Sequence, residues 1–201
     1  MLVLSDDPAR LASRLLEVVE HDVVPLTRVG VGRGDKVFGA AVLHKSDGSL
    51  VVADSNRETD CPLWHGEVAT IKAFHERLAS RPDPKDCLFL STHEPCSRCL
   101  SAITWAGFDN FYYLFSYEDS RDSFAIPHDL RILEEVFDCS DGGYAAQNTY
   151  WKSRAISELI AESPDPIRDE LTQRVERLRG VYDEMSETYQ ASKTGSGIPL
   201  A

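Results

Sequence analysis

The chain contains two short motifs, His65-Gly66-Glu67 and, further along, Pro95-Cys96-Ser97-Arg98-Cys99. One imidazole and two thiolates supply three ligands of a tetrahedral zinc site and leave the fourth position for water, as in catalytic rather than structural zinc sites. Cys96 and Cys99 are three residues apart at the expected start of a helix, so both sulfurs lie on one face. A helix N-terminus also favours the thiolate form. The sequence therefore predicts one zinc ion per chain, bound by His65, Cys96 and Cys99.

Glu67 follows the predicted histidine ligand by two residues, which places it beside the metal rather than on it. A carboxyl group there can take a proton from a zinc-bound water and deliver it to a substrate nitrogen. The alternative is a structural zinc site whose fourth ligand is another cysteine: Cys61, Cys87 or Cys139. That alternative leaves Glu67 without a purpose, so we predict Glu67 to be the catalytic residue.

The segments on both sides of the motifs alternate between helix and strand, the pattern of a layered α/β domain. We predict helices at 8–24, 65–79 (with Val68, Ile71, Phe74 and Leu78 facing inward) and 96–106, strands at 37–43, 49–53, 87–91 and 110–116, and a loop at 27–36. The turn residues Ser46-Asp47-Gly48 join the first two strands into a hairpin. Because the two motifs open successive helices, their side chains are expected to meet at one sheet edge.

The last third of the chain is predicted to be helical, with helices at 150–162 and 167–190. The second helix carries an apolar stripe, which we expect to pack on the parent domain or on a partner subunit: Leu171, Val175, Leu178, Tyr182, Met185 and Tyr189. We divide the chain into a zinc domain at 1–149, a helical extension at 150–190 and a flexible tail at 191–201.

The charge balance limits the class of partner. The 201 residues include 21 basic and 33 acidic side chains, a formal net charge of −12 at pH 7, and 42% are hydrophobic, as in globular proteins. Nucleic-acid binders need clustered Lys and Arg, so we expect no nucleic-acid partner. No apolar run approaches the ~20 residues of a membrane span, and residues 1–8 lack the features of a secretory signal. With five cysteines, an odd number, these features predict a cytoplasmic protein without membrane association.

The motifs resemble those of the zinc-dependent cytidine/deoxycytidylate deaminase superfamily over roughly residues 10–135. The branch that the chain resembles most includes guanine deaminases, fungal cytosine deaminases and bacterial tRNA adenosine deaminases. The segments that carry the resemblance are Phe38-Gly39-Ala40-Ala41-Val42, Asn56, His65-Gly66-Glu67-Val68-Ala69, Glu94-Pro95-Cys96-Ser97-Arg98-Cys99 and Ala102-Ile103-Thr104-Trp105-Ala106-Gly107.

The resemblance implies a three-layer α/β/α sandwich around a five-stranded mixed sheet, here with added C-terminal helices, and a homodimer. It also implies hydrolytic deamination of an aromatic nitrogen ring, in which zinc-bound hydroxide attacks the carbon that bears the amine and Glu67 shuttles the proton. In this branch terminal segments sometimes cover the neighbouring subunit's pocket, so residues 167–190 are a candidate lid or dimer arm.

Five residues near the motifs are candidates for substrate contact: Phe38, Asn56, Trp64, Trp105 and Asp119. Asn56 resembles the family's substrate-binding Asn, and its alternative role is to cap a loop. Phe38 and the two tryptophans have core packing as their alternative role. Asp119, together with Glu118 and Asp122, follows a predicted strand, where a carboxylate can accept hydrogen bonds from ring N–H groups. The alternative for these three acids is a solvated loop.

The predicted function is deamination of a free nucleobase or related small amino-azine, of the guanine, cytosine, isocytosine or aminotriazine type. One alternative is a tRNA adenosine deaminase, which must hold an anticodon stem through phosphate contacts. An alternative of another class is a non-catalytic, zinc-stabilised module that pairs with an active deaminase subunit. The sequence does not distinguish which base is used, because single ring substituents are recognised through pocket contacts.

Overall fold

The computed structural model describes residues 4–77 and 81–201. Within these residues the sheet has five strands: β1 (Gly39–His44), β2 (Leu50–Ser55), β3 (Cys87–His93), β4 (Asn110–Phe115) and β5 (Lys152–Ala155). The helices are α1 (Pro8–Val18), α2 (Val24–Arg33), α3 (Gly66–Glu76), α4 (Ser97–Trp105), α5 (Tyr117–Asp122), α6 (His128–Phe137), α7 (Ile156–Ala161) and α8 (Asp165–Ser192). A π-helical turn, Val19–Val23, joins α1 to α2, and short 3₁₀ turns occur at Leu4–Asp6, Pro84–Asp86 and Ser140–Gly142.

The sheet is mixed, with the strand order β2-β1-β3-β4-β5. The predicted hairpin of β1 and β2 is antiparallel, and β1 also pairs antiparallel with β3. The pairs β3–β4 and β4–β5 are parallel, which requires crossover connections, and α4 supplies the first of them. Every residue of the central strand β3 is buried, as expected for a strand covered on both faces.

Two apolar clusters lie on opposite faces of the sheet. One face packs against α3 and α4 through residues that include Phe74, Leu100 and Ile103. The other packs against α1, α2, α7 and α8 through residues that include Leu15 and Tyr182. The predicted three-layer α/β/α sandwich around a five-stranded mixed sheet is therefore confirmed. In the part of the chain that the structure describes, no helix is both long and apolar enough to cross a membrane.

The glycine-containing segment at 27–36 is not the predicted loop, because α2 continues to Arg33. Helix propensity disfavours Gly30 and Gly32, but tertiary packing overrides it: Gly30 lies against the second strand, where an added Cβ would be 3.3 Å from the backbone oxygen of Asn56. The helix ends at Gly34, whose φ of 100° is the left-handed conformation that glycine adopts without strain.

The prediction of a helix over 150–162 is wrong at its beginning, because Lys152–Ala155 is the fifth strand of the sheet and the helix starts at Ile156. Four residues are too few for an alternating pattern to show in the sequence, and their pairing with β4 is set by the fold. The sheet therefore takes strands from both sides of the predicted boundary between residues 149 and 150. The predicted inward position of Leu78 lies outside the described residues.

Helix α8 packs on the parent domain through the predicted stripe. Five of the six stripe residues are buried, and Val175 is partly buried against the same cluster. Removal of α8 would therefore remove part of the core of the parent domain. The segment after α8, predicted as a flexible tail, is in contact with the domain, because Ile198 is buried.

Candidate zinc centre and its cavity

The two motifs come together because α3 and α4 begin side by side at the sheet edge. His65 is the N-cap residue of α3, and Cys96 is the N-cap residue of α4. Gly66 allows the first turn of α3 to approach β1 closely, since an added Cβ would lie 2.7 Å from Gly39 Cα. The fold therefore delivers the imidazole and both thiols to one point, and both helix N-termini favour negative charge there.

The three predicted ligands fit a tetrahedral zinc ion. Cys96 Sγ lies 3.5 Å from Cys99 Sγ and 3.5 Å from His65 Nδ1, and Cys99 Sγ lies 3.7 Å from His65 Nδ1. Zinc–sulfur bonds of about 2.3 Å and a zinc–nitrogen bond of about 2.0 Å at tetrahedral angles place the two sulfurs about 3.8 Å apart and each sulfur about 3.5 Å from the nitrogen. Among residues 4–77 and 81–201, the candidate ligand group comprises these three residues and does not include Cys61, Cys87 or Cys139.

The charge state of the ligands matches this use. A hydrogen bond from Cys99 lowers the pKa of Cys96 well below its usual value although burial opposes the shift, and nearby His65 lowers it further. Burial, together with the Cys96 thiolate, raises the pKa of Cys99. Burial acts to lower the pKa of His65, but Cys96 and Glu58 raise it to about 10. Without metal, the protons on His65 and Cys99 therefore offset the negative charge of the Cys96 thiolate, a role that a divalent cation would take over.

Glu67 is in the predicted place beside the ligand group. Its carboxyl group is buried, with Oε2 3.3 Å from Cys99 Sγ and Oε1 2.9 Å from Ser91 Oγ. Burial raises the pKa of Glu67, and the negative charge of Cys96 raises it further. A raised pKa makes the carboxyl group a better proton acceptor, which suits a proton shuttle.

A cavity of about 290 Å³ opens at the ligand group. His65 and Cys96 are part of its wall, and the predicted substrate contact Phe38 is another part, with its ring centroid 6.3 Å from that of His65. The rest of the wall is mostly apolar: Pro62, Leu63, Ile126, Ile132, Ile198, Pro199 and Leu200. The last three belong to the C-terminal tail, so this segment of the same chain forms one side of the cavity.

Asp129 is a wall residue that the sequence reasoning missed. It lies in the first turn of α6, and its carboxyl group faces the cavity. Burial, and next the negative charge of Cys96, raise the pKa of Asp129 to about 8. The signal in the sequence is weak, because nothing in Pro127-His128-Asp129 marks the segment as part of a zinc site.

Three other polar residues form a buried network behind the histidine ligand. Lys36 Nζ donates to Glu58 Oε1 at 3.0 Å, and Asn56 Nδ2 donates to Glu58 Oε2 at 2.6 Å. Asn56 Oδ1 accepts from the backbone N–H of Gly66. Burial opposes ionisation of Glu58, but His65 and Lys36 lower its pKa. Asn56 thus secures the start of α3, while its predicted contact with substrate stays a prediction.

The structure does not bring three predicted substrate contacts to the cavity. Trp105, at the end of α4, is 89% exposed. The ring of Trp64 lies in a separate surface pocket, 5.8 Å from Lys72 Nζ. Asp119 Oδ2 accepts a hydrogen bond from the backbone N–H of Ser116 at the start of α5, and Oδ1 accepts a 2.8 Å hydrogen bond from Arg179. Both carboxylate oxygens of Asp119 therefore have structural partners. These three residues therefore do not line the cavity of this chain, and their contact with substrate stays a prediction.

Comparisons with known proteins agree with this geometry. Residues 27–115 match the family model described as the cytidine and deoxycytidylate deaminase zinc-binding region. This region of the chain is similar to that family. The predicted resemblance to the deaminase superfamily is thereby confirmed, and the family match covers both zinc motifs.

The deaminase region also has a curated relative, the guanine deaminase of Bacillus subtilis (strain 168), with 30% identity over 88 residues. The match covers 43% of this chain and 54% of the relative, so the chain spans about half the length of the curated relative that it matches. A structure of the guanine deaminase of Nitrosomonas europaea is 19% identical, with a TM-score of 0.52 and 84% of both chains covered. A protein variant solved with 8-azaguanine gives a TM-score of 0.52 at 18% identity, over 92% of this chain and 87% of that one. These likenesses show a shared fold.

Proposed function

We propose that this protein is a zinc-dependent aminohydrolase that removes the exocyclic amino group of a nucleobase or related amino-azine. The observation that carries the proposal is the convergence of His65, Cys96 and Cys99 at zinc-compatible distances, with the buried carboxyl of Glu67 beside them. Three protein ligands leave one position for the reaction.

The residues of the chain divide the chemical work. Bound zinc would supply a Lewis acid that makes water nucleophilic at neutral pH. Glu67 would accept one proton from the attacking water and pass it to the ring nitrogen. It would then take the second proton from the hydroxyl group now bound to the ring carbon and give it to the departing amine, which leaves as ammonia while the carbonyl forms. Its carboxyl group is only 4% exposed, so exchange of its proton with bulk solvent would be restricted. The product is the carbonyl form of the ring.

The cavity favours a free base over a polymer. A volume of about 290 Å³ suits a bicyclic or monocyclic ring, and its apolar walls suit the faces of a planar heterocycle. Asp129 would bind polar groups at the ring edge. Guanine is our first candidate substrate, because the curated relative is a guanine deaminase and a structure of similar fold was solved with 8-azaguanine.

An ammonia-release screen tests the proposal with the full-length, zinc-loaded protein and guanine, cytosine, isocytosine, adenine and aminotriazines. We expect one zinc per chain and turnover of at least one base. Glu67→Gln should retain zinc and lower turnover by about 10²- to 10⁴-fold, the usual contribution of a general acid–base group. Glu76→Gln, an exposed carboxyl on the same helix, is the matched control and should retain turnover.

The outcomes separate the alternatives. Full turnover in Glu67→Gln would contradict the assignment of that residue. Salt-sensitive tRNA binding with deamination of tRNA adenosine would favour the tRNA enzyme. Zinc binding without turnover of any base, with activity appearing only beside a second subunit, would favour the non-catalytic module. Light scattering would test the homodimer that we also propose, with a mass of one chain as the contradicting result.

A further inference from the structure

The histidine ligand has a buried carboxylate behind it. His65 Nε2 lies 3.2 Å from Glu58 Oε1, while Nδ1 of the same ring faces the two sulfurs. An imidazole that binds a metal through Nδ1 must carry its remaining proton on Nε2. Of the two neutral tautomers of His65, the one with the proton on Nε2 both donates to Glu58 and leaves Nδ1 free for the metal.

We propose that Glu58 is a positioning residue, which fixes the tautomer and ring orientation of His65 for the metal and is itself held by Lys36 and Asn56. The inference rests on the proposed zinc function. Carboxylates bound to the distal nitrogen of a ligating histidine increase its basicity, and their loss typically costs 10- to 100-fold in metal affinity.

The orientation of Glu58 is set from several sides. One carboxylate oxygen receives Lys36 and His65, and the other receives Asn56. The side chains of Lys36 and Glu58 are 5% and 2% exposed, so each compensates the charge of the other in a buried place. Asn56 cannot reverse its amide without loss of the bond that it accepts from Gly66 N. Every one of these neighbours is a hydrogen-bond donor, so both carboxylate oxygens of Glu58 act as acceptors.

The Glu58→Gln substitution would disrupt these hydrogen bonds although glutamine and glutamate have nearly the same shape. Its NH₂ group must face either Asn56 Nδ2 or the pair formed by Lys36 Nζ and His65 Nε2, and all of these are donors. One hydrogen bond is lost in the first orientation and two are lost in the second, and the His65 ring loses its charged acceptor in both.

The test is a double-mutant cycle on the zinc dissociation constant, measured by chelator competition at fixed pH. The four proteins are the wild type, Glu58→Gln, His65→Cys and the double variant, with Glu76→Gln as the matched control. We expect Glu58→Gln to weaken zinc binding by about 10- to 100-fold in the wild-type background. A cysteine ligand has no ring to orient, so the same substitution should cost less than about threefold in the His65→Cys background.

An equal loss in both backgrounds would overturn the proposal, because it would show that Glu58 only supports the local fold. Unchanged zinc affinity in Glu58→Gln would also overturn it. If Glu58→Gln does not fold, Glu58→Asp, which keeps the charge and shortens the side chain, replaces it in the same cycle. Absence of zinc binding in the wild type would instead refute the proposed function, so the two failures are distinguishable.

Discussion

His93, the last residue of β3, makes the free energy of unfolding decrease as the pH falls below neutral. It lies directly before the Glu94-Pro95-Cys96 segment and is 3% exposed. The rings of Phe38 and Phe124 lie 4.7 and 5.0 Å from its ring. Nδ1 contacts Thr92 Oγ1 at 3.0 Å, and Nε2 has no hydrogen-bond partner among residues 4–77 and 81–201.

Burial, assisted by the nearby Arg179 charge, lowers the pKa of His93 from 6.5 to about 3. His93 of the unfolded chain therefore binds a proton below about pH 6.5, whereas His93 of the folded protein binds one only below about pH 3. The stabilising contribution of His93 is fully present above pH 6.5 and is lost as the pH falls. At pH 4 the loss amounts to about 3 kcal/mol of unfolding free energy.

The assay is urea unfolding of the wild type and His93→Leu at pH 7 and pH 4, with a chelator present so that loss of metal does not contribute. The stability difference between the two proteins should shift by about 3 kcal/mol in favour of the leucine variant at pH 4. The exposed residue His21, replaced in the same way, serves as the control. A difference that is the same at both pH values would refute the reasoning.

Three further predictions concern the site. Asp129→Asn should lower kcat/KM by about 3- to 10-fold, the value of a hydrogen bond between neutral groups, because a pKa of about 8 leaves the carboxyl group protonated at pH 7. Unchanged kcat/KM would contradict its role. Because the pKa of Asp129 is raised to about 8, its stabilising contribution is present at pH 4 and is lost as the pH rises through 8. The melting temperature of the wild type should therefore decrease over this interval, and that of Asp129→Asn should decrease less. Zinc binding at pH 7 should release about two protons, from His65 and Cys99, in calorimetry with buffers of different ionisation enthalpy, and no release would contradict the charge states. Ending the chain after Lys193 should raise KM several-fold, because it removes one cavity wall, and should lower the melting temperature by several degrees through the loss of buried Ile198, while α8 stays intact. Unchanged KM would show that the tail does not contact substrate.

The motif residues were predictable because their chemistry is local. A histidine or cysteine at a helix start, with a second cysteine three residues on, specifies both ligand type and direction without knowledge of distant contacts. The same helical geometry argues against Trp105 in the pocket: Cys99, Leu100 and Ile103 are the buried residues of α4, and Trp105 lies away from that face.

The second acidic residue was not predictable from local sequence. Several acids follow β4, and the sequence alone does not separate Asp119 from Glu118 and Asp122. The structure uses Asp119 for a helix cap and for a hydrogen bond with Arg179, which is 60 residues further along the chain. Asp129 reaches the cavity because α6 folds back over the site. Only the tertiary arrangement decides between the two.

The central claim is a zinc ion with three protein ligands and one open position. X-ray absorption spectroscopy of the zinc-loaded protein measures this directly. We expect the zinc ion to have two sulfur neighbours at about 2.3 Å, one imidazole nitrogen at about 2.0 Å and one further light atom from water. A shell of three or four sulfurs, or a second imidazole in place of the water, would contradict it.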